Sequence, residues 1–128
     1  MGTKNHVQAH FTPEHKEFTS GDGKKYEFEG TGPYDYLLGA LSGCLYYTFK
    51  SLAEKFRLEW DDLRFEVNSE KRDETLQTLK EVHVDAVIRT SSDHATVTKC
   101  FETSTRYCSV FQTIGKVAEM HWSLNFAQ

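Results

Sequence analysis

The sequence has few cysteines for a disulfide-stabilised protein and few basic residues for a nucleic-acid-binding protein. Its 3 cysteines are an odd number and too few for a disulfide scaffold in a chain of 128 residues. The 15 lysines and arginines are outnumbered by 19 acidic residues, and no basic cluster is available to neutralise phosphates. These scarcities argue against a disulfide-stabilised scaffold and against a nucleic-acid partner.

The N-terminal segment also lacks the apolar stretch of a signal peptide. Together with the sparse cysteines, this predicts a cytoplasmic protein in which a persistent structural disulfide is not expected. Hydrophobic residues make up 38% of the chain and charged residues 27%, as is ordinary for a globular protein. Because no repeats, linkers or low-complexity segments interrupt it, we expect one domain over residues 1–128, with a sizeable core.

Charged side chains are missing from Tyr36 to Phe49, in the middle of a strongly helical stretch. Pro33 can begin a helix because a first-turn proline gives up no needed N–H group, and Asp35 places a carboxylate in the first turn. Apolar residues then recur mostly at three- and four-residue steps. They are Leu37, Leu38, Leu41, Leu45 and Leu52. The pattern predicts a long central helix over residues 33–57.

A helix that is apolar on every face must be buried on every face. A domain of this size has limited sheet with which to cover it, so we expect a second copy of the chain to complete the burial in a homodimer. Gly39 and Gly43 within the helix, and the charged residues that follow it, make a membrane span a poor interpretation. We therefore expect no membrane partner.

Alternating residues on both sides of this helix predict strands. A short N-terminal hairpin is expected within residues 1–30, with strands at 6–12 and 25–29 and a turn at Gly21 to Gly23. In the C-terminal half, residues 59–128, we expect strands at 62–70 and 79–90, a second helix capped by residues 91–93, and a closing strand at 119–127. This order predicts an α+β fold with antiparallel sheet.

Two of the cysteines are candidates for chemistry. Cys44 lies in the long helix after several small residues, and Cys108 lies at the end of the second helix. Neither belongs to a CxxC motif, so no local redox or zinc motif supports them. Periodicity alone favours two buried apolar cysteines, whereas the small residues before Cys44 leave room for a small molecule beside its sulfur. Cys100 is expected to be a packed helix residue.

The segments around Cys44 and Cys108 resemble the two signatures of the OsmC/Ohr family. Residues 33–44 read PYDYLLGALSGC, with the proline, acid, leucines and small residues that precede the first cysteine of that family. Residues 106–110 read RYCSV and are similar to the second signature, and the spacing between the two cysteines is also similar. Two separate motifs in the right order make the resemblance specific.

The resemblance implies an OsmC-like fold, with antiparallel sheets around a long buried helix in an intertwined homodimer. It implies reduction of organic hydroperoxides without a cofactor. Cys44 would be the peroxidatic cysteine and Cys108 the resolving one, and a dithiol reductant would reopen the disulfide. The alternative on the same fold is a non-catalytic protein that senses redox state or binds a small molecule.

The chain departs from the family's peroxidases in its charged residues. No arginine precedes Arg57, and Tyr34 stands where the family's glutamate would follow the proline. The acid of this chain is Asp35, one place later and one carbon shorter, and it would either orient a basic group or simply start the helix. The basic group beside Cys44 would then come from another position, unless each of these residues is a solvated surface charge. The candidates are Lys24, Lys25, Arg72 and Arg106.

Aromatic residues and histidines complete the set of candidates. Tyr34, Tyr47 and Phe111 could form an apolar pocket for an organic peroxide, or could be plain core. His6 and His10 are too far apart on a strand to share one ion, and a single strand histidine such as His83 is seldom a metal ligand. We therefore expect no metal.

Overall fold

The computed structural model describes residues 2–128, which form two compact units, one ending at Leu37 and one beginning at Leu38. Six strands and three helices lie within residues 2–128, so the predicted α+β class is confirmed. Their bounds are β1 Val7–Phe11, β2 Lys16–Ser20, β3 Lys25–Glu27, α1 Pro33–Lys55, β4 Trp60–Lys71, β5 Leu79–Thr90, α2 His94–Tyr107, α3 Ser109–Gly115 and β6 Glu119–Phe126.

The N-terminal unit holds an antiparallel sheet of β1, β2 and β3. One strand more is present than the hairpin we predicted, because the Gly21 turn joins β2 to β3 and a separate turn at Thr12 joins β1 to β2. Phe18 stacks on Tyr26 with ring centroids 5.0 Å apart, and it meets Tyr36 edge-on at 5.6 Å. None of the side chains of residues 2–37 is fully buried.

Helix α1 begins and ends through local hydrogen bonds. The Asp35 carboxylate accepts the Gly32 N–H at 2.9 Å, and this contact fixes the first turn. At the other end Arg57 adopts a positive φ of 57°, while the N–H of Leu58 reaches back to the carbonyl of Ala53 at 2.9 Å. This termination explains why the helix stops at Lys55, two residues earlier than predicted.

Only one face of α1 is fully buried within the single chain. That face carries Leu41, Leu45, Phe49 and Ala53. Gly39, Ala40 and Tyr47 are exposed, so the prediction of burial on every face is not met by one copy of the chain. Within residues 2–128, no helix combines the length and apolar character that a membrane crossing requires.

The C-terminal unit is built on a sheet of β4, β5 and β6. Strands β4 and β5 are antiparallel as predicted, whereas β5 and β6 are parallel, which corrects the expectation of an antiparallel sheet throughout. The reason is the connection: α2 and α3 lie between β5 and β6 in the chain, and such a crossover returns the chain in its original direction. Val82, Val84, Ala86 and Ile88 of β5 are completely buried on one face.

Aromatic side chains fill the core between this sheet and the helices. Phe101 of α2 is completely buried, with ring centroids 5.4 Å from Trp122, 6.0 Å from Phe49 and 6.3 Å from Phe65. Asp93 caps α2 by accepting the Thr96 N–H at 3.0 Å, as the sequence predicted. The helix is thereby held at both its start and its buried face.

Candidate active site

Cys108 occupies the junction of two helices. Its backbone is extended, with φ −75° and ψ 111°, so that the residue ends α2 and begins α3. Its N–H donates to the Ser104 carbonyl at 2.8 Å, and its sulfur accepts the Phe111 N–H at 3.5 Å. Because sulfur is the cap of α3, the completely buried thiol is fixed in position by the backbone.

Cys44 lies on α1 next to this junction. The Cys44 Sγ is 4.0 Å from the Ser109 Oγ, and the Cys108 thiol and the Val110 N–H are near enough to lower the pKa of Cys44. Thr48 lies one turn further along the same helix, and its hydroxyl donates to the Cys44 carbonyl at 2.8 Å. The two predicted cysteines, far apart in sequence, are therefore brought together.

The two thiols differ in their affinity for a proton. Burial acts to raise the pKa of Cys44, but hydrogen bonds from Cys108, the Val110 N–H, Ser109 and Thr48 outweigh it and bring the pKa below its ordinary value. Burial and the neighbouring Cys44 raise the pKa of Cys108 to about 12. The arrangement favours a thiolate on Cys44 and a retained proton on Cys108, and the thiolate is the nucleophilic form.

Hydrogen-bond donors, and not a salt bridge, thus account for the lowered pKa of Cys44. Three of the four basic candidates have other partners. Two of them are arginines: the Arg72 guanidinium donates to the Val117 carbonyl at 3.0 Å, and Arg106 lies 3.5 Å from Glu102. In the N-terminal unit, Lys25 lies 3.8 Å from Glu17 and Lys24 is exposed in the turn before β3. A role for any of these four beside Cys44 stays a prediction.

An open groove of about 680 Å³ begins one helical turn from Cys44. Thr48, which contacts Cys44, is also part of its wall. The groove is lined by Tyr47, Thr48, Ser51, Leu52, Lys55, Thr103 and Tyr107. Tyr47 is 69% exposed and Tyr107 is 72% exposed, so their rings are accessible to a ligand. The predicted binding residue Tyr47 is thus found in a groove of suitable size for a small organic molecule.

The other predicted site residues occupy different surroundings. Phe111 is 7% exposed, and its backbone N–H donates to the Cys108 sulfur. Tyr34 and Asp35 belong to the N-terminal unit, where Asp35 supports the start of α1. A catalytic role for Asp35 and substrate contacts by Tyr34 and Phe111 stay predictions.

Sequence reasoning missed two groups beside Cys44, namely the Ser109 hydroxyl and the Val110 N–H. Their only signal was their place directly after Cys108 in the second motif. Cys100, in contrast, was predicted to be a packed helix residue, and it is completely buried in the core cluster. Burial raises the pKa of Cys100 to about 11, which keeps this thiol protonated and unreactive.

Comparison with known proteins gives a family model and a set of solved structures. The model of the OsmC-like protein family matches residues 21–123. An OsmC-like protein from Mycoplasma pneumoniae has a similar structure, with a TM-score of 0.86, 15% identity and coverage of 100% of both chains. At this identity the likeness shows the fold alone.

Two further structures carry names that mention hydroperoxides. A protein from Legionella pneumophila, described as an organic hydroperoxide resistance protein OsmC, has a TM-score of 0.76 and 15% identity over 96% of this chain and 97% of its own. The organic hydroperoxide resistance protein OhrB of Bacillus subtilis has a TM-score of 0.68 and 15% identity over 96% and 98%. Among curated proteins, no sequence is significantly similar to this one.

Proposed function

Because the chain belongs to the OsmC-like family, we propose that it is a thiol-dependent peroxidase that reduces organic hydroperoxides. The observation that carries the proposal is the unequal pair of thiols, with the pKa of Cys44 lowered and that of Cys108 raised to about 12. A peroxidatic cysteine must be a thiolate and must be exposed enough to meet a peroxide, and Cys44 is only half-buried. The names of the Legionella and Bacillus proteins support a role in oxidative stress defence.

The first step of the proposed reaction breaks the O–O bond. The Cys44 thiolate attacks the terminal peroxide oxygen, a new S–O bond forms, and the alkoxide leaves with the electron pair of the O–O bond. The Cys108 thiol is the neighbouring group that can supply the proton that converts the alkoxide to the alcohol. Cys44 is then a sulfenic acid, and Cys108 is a thiolate.

The second step forms the disulfide. The Cys108 thiolate attacks the Cys44 sulfur, the S–O bond breaks, and hydroxide leaves and takes up a proton to become water. One peroxide has then been reduced by two electrons from the thiol pair. An external dithiol restores both thiols by exchange and is itself oxidised to a disulfide. No metal or organic cofactor is needed in this scheme.

The groove beside Thr48 supports a preference for organic substrates. Its wall contains the exposed rings of Tyr47 and Tyr107 together with Leu52, which can contact the hydrocarbon part of a hydroperoxide. Hydrogen peroxide has no such part. We therefore expect cumene hydroperoxide to be reduced with a higher kcat/KM than hydrogen peroxide.

A homodimer is part of the proposal. Gly39, Ala40 and Tyr47 leave an uncharged surface of α1 exposed, and Val7 and Phe11 of β1 are 58% and 59% exposed. Surfaces of this kind are commonly covered by another protein chain. Light scattering at low micromolar concentration should give twice the mass of 14.8 kDa, and a well-folded monomer would contradict this expectation.

The experiment that tests the activity is the consumption of cumene hydroperoxide with dithiothreitol as reductant. Cys44→Ser should reduce the rate to that of the buffer, because an alkoxide is not available at neutral pH to replace the thiolate. Cys100→Ala is the matched control, since it removes a buried thiol outside the pair, and it should retain the parental rate. Equal rates for the parent and Cys44→Ser would overturn the proposal.

A second candidate is a protein that senses oxidation or binds a small molecule without turnover. It is favoured by one observation: the pKa of Cys44 is lowered by neutral hydrogen-bond donors, which stabilise a thiolate less than a charged partner does. Under this alternative, one equivalent of peroxide would oxidise the thiol pair slowly, and dithiothreitol would not support repeated cycles.

A further inference from the structure

Two histidines meet on the outer face of the C-terminal sheet. Strands β5 and β6 are parallel and in register, so that His83 lies opposite His121 and Glu81 opposite Glu119. Their neighbours in β5, Val82 and Val84, point into the core, and alternation therefore turns Glu81 and His83 to the other face. The two imidazole rings are stacked, with centroids 4.5 Å apart and planes 10° from parallel.

Carboxylates surround this pair of rings. The Nε2 of His83 is 2.9 Å from Oε1 of Glu81, and the Nε2 of His121 is 3.1 Å from Oε1 of Glu119. The third strand continues the acidic row, because Glu70 lies opposite Glu81 in the register of β4 and β5. The Lys80 ammonium lies 3.9 Å from Glu70, so one positive charge of the region has its own acidic partner.

We propose that Glu81, His83 and His121 bind a divalent transition-metal ion, with zinc as the first choice. One ligand atom from each of the three residues lies within 4.8 Å of the other two. Two ligands of a tetrahedral zinc ion are about 3.3 Å apart, so sharing an ion requires the ligand atoms to approach by up to about 1.5 Å together with a reorientation of the rings. The inference does not depend on the thiol chemistry of Cys44 and Cys108.

The ligand types determine which ions the site selects. Two imidazoles and one carboxylate are typical of zinc, cobalt, nickel and copper, whereas magnesium and calcium require oxygen ligands. The side chains of His83 and His121 are 44% and 42% exposed, so water can occupy a fourth position. Glu119 lies next to His121, so its carboxylate could occupy the fourth position in place of water, or could hold the His121 ring in place.

Ion binding requires a specific change in the imidazole pair. An imidazole nitrogen binds a metal in the plane of its own ring, and two stacked rings point their lone pairs along separate, nearly parallel planes. The rings must therefore open from the stacked arrangement so that both Nε2 atoms face one ion. Specific binding should therefore change the NMR signals of both histidine rings. Weak, non-specific attraction of cations to acidic side chains would leave these signals unchanged.

The test is a titration of the full chain with zinc chloride, followed by NMR of the histidine ring nitrogens. Signals of His83 and His121 should shift together and reach saturation at one equivalent. His94, which stacks on Phe126 at 3.8 Å, provides an internal control whose signals should not shift. Magnesium chloride at the same concentration should leave all ring signals unchanged.

Zinc affinity in two ligand variants and one control variant tests the proposed site. By calorimetry, His121→Asn and Glu81→Gln should each weaken zinc binding at least about tenfold, since each removes a ligand. Glu81→Gln keeps the imidazole pair, so it tests the site even if His121→Asn folds poorly. His94→Asn should bind zinc as the parent does. Unchanged affinity in Glu81→Gln, or zinc binding that leaves the signals of His83 and His121 in place, would overturn the proposal.

Discussion

Two completely buried cysteines lie within helix α2 and directly after its last residue, and they differ in their neighbours. Cys100, in the middle of the helix, belongs to the core cluster that includes Phe49 and Phe101. Cys108, at the end of the helix, lies beside Cys44 and the start of α3. Burial raises the pKa of both thiols, to about 11 and about 12. What distinguishes Cys100 from the proposed resolving cysteine, Cys108, is therefore the neighbouring thiol of Cys44.

The strongest test of this comparison is the identity of the disulfide. One equivalent of cumene hydroperoxide should link Cys44 to Cys108 in the parent chain, because the two thiols are close enough to affect each other's pKa, and should leave Cys100 free. In Cys108→Ser the bridge should be lost completely, and Cys44 should proceed to sulfinic acid with excess peroxide. Peptide mapping by mass spectrometry distinguishes these products.

Cys100→Ala provides the matched control for that experiment, and its bridge should form as in the parent chain. A disulfide that contains Cys100 would contradict the comparison, because it would require the core around Phe101 to open. Oxidation of Cys44 in the parent without any bridge would equally count against Cys108 as the resolving residue.

The second prediction concerns the stability of the region around Cys100. Phe101→Ala should lower the free energy of unfolding by about 3–5 kcal/mol, because it removes a completely buried ring that packs on Phe49, Phe65 and Trp122. Tyr107→Ala, six residues further along the same helix, removes a ring that is 72% exposed and should change the free energy by less than about 0.5 kcal/mol. Urea unfolding followed by circular dichroism measures both, and similar losses in the two variants would contradict the assignment of the core.

These two regions also differ in how much of them could be predicted from sequence. The interior of α2 follows from the spacing of Val97 and Phe101, and the N-cap follows from Asp93, since both depend on residues close together in the chain. Strand β5 was predicted with its observed bounds, because its alternation is local too. Periodicity describes such elements well.

Features that depend on distant partners could not be predicted in the same way. The parallel pairing of β6 with β5 requires knowledge of the path through α2 and α3, and strand β2 has little alternation of its own. The pairing of Cys44 with Cys108 was expected from the motif resemblance, but the extended backbone at Cys108 is not marked by a proline or a glycine in the sequence. His121 beside His83 likewise results from strand register.

A third prediction concerns the effect of the two buried thiols, Cys100 and Cys108, on the pH dependence of the free energy of unfolding. Burial raises the pKa of Cys100 from its ordinary value of 9.0 to about 11, and burial together with Cys44 raises the pKa of Cys108 from 9.0 to about 12. Above pH 9.0 the unfolded state therefore binds fewer protons, and the free energy of unfolding falls as the pH rises. Each thiol contributes a slope of up to about 1.4 kcal/mol per pH unit.

Cys100→Ala isolates one of these contributions. Between pH 9 and 11 its free energy of unfolding should fall less steeply than that of the parent, by the slope of one thiol, because the two proteins differ only at residue 100. Urea unfolding at four pH values is sufficient to measure the difference. Parallel curves for the two proteins would show that Cys100 does not retain its proton in the fold.

The smallest expected effect concerns the Ser109 hydroxyl. Its Oγ is 4.0 Å from the Cys44 Sγ, a long contact even for sulfur, whereas Cys108 and the Val110 N–H precede it among the groups that lower the pKa of Cys44. Ser109→Ala should therefore slow the alkylation of Cys44 by iodoacetamide at neutral pH only by about twofold, corresponding to about 0.5 kcal/mol for a weak neutral hydrogen bond. Cys108→Ala should slow it more, because it removes the strongest donor to the thiolate. Thr113→Ala, an exposed position on the same helix, is the control and should react as the parent does. If Ser109→Ala had the larger effect, the serine and not the second cysteine would be the main support of the reactive sulfur.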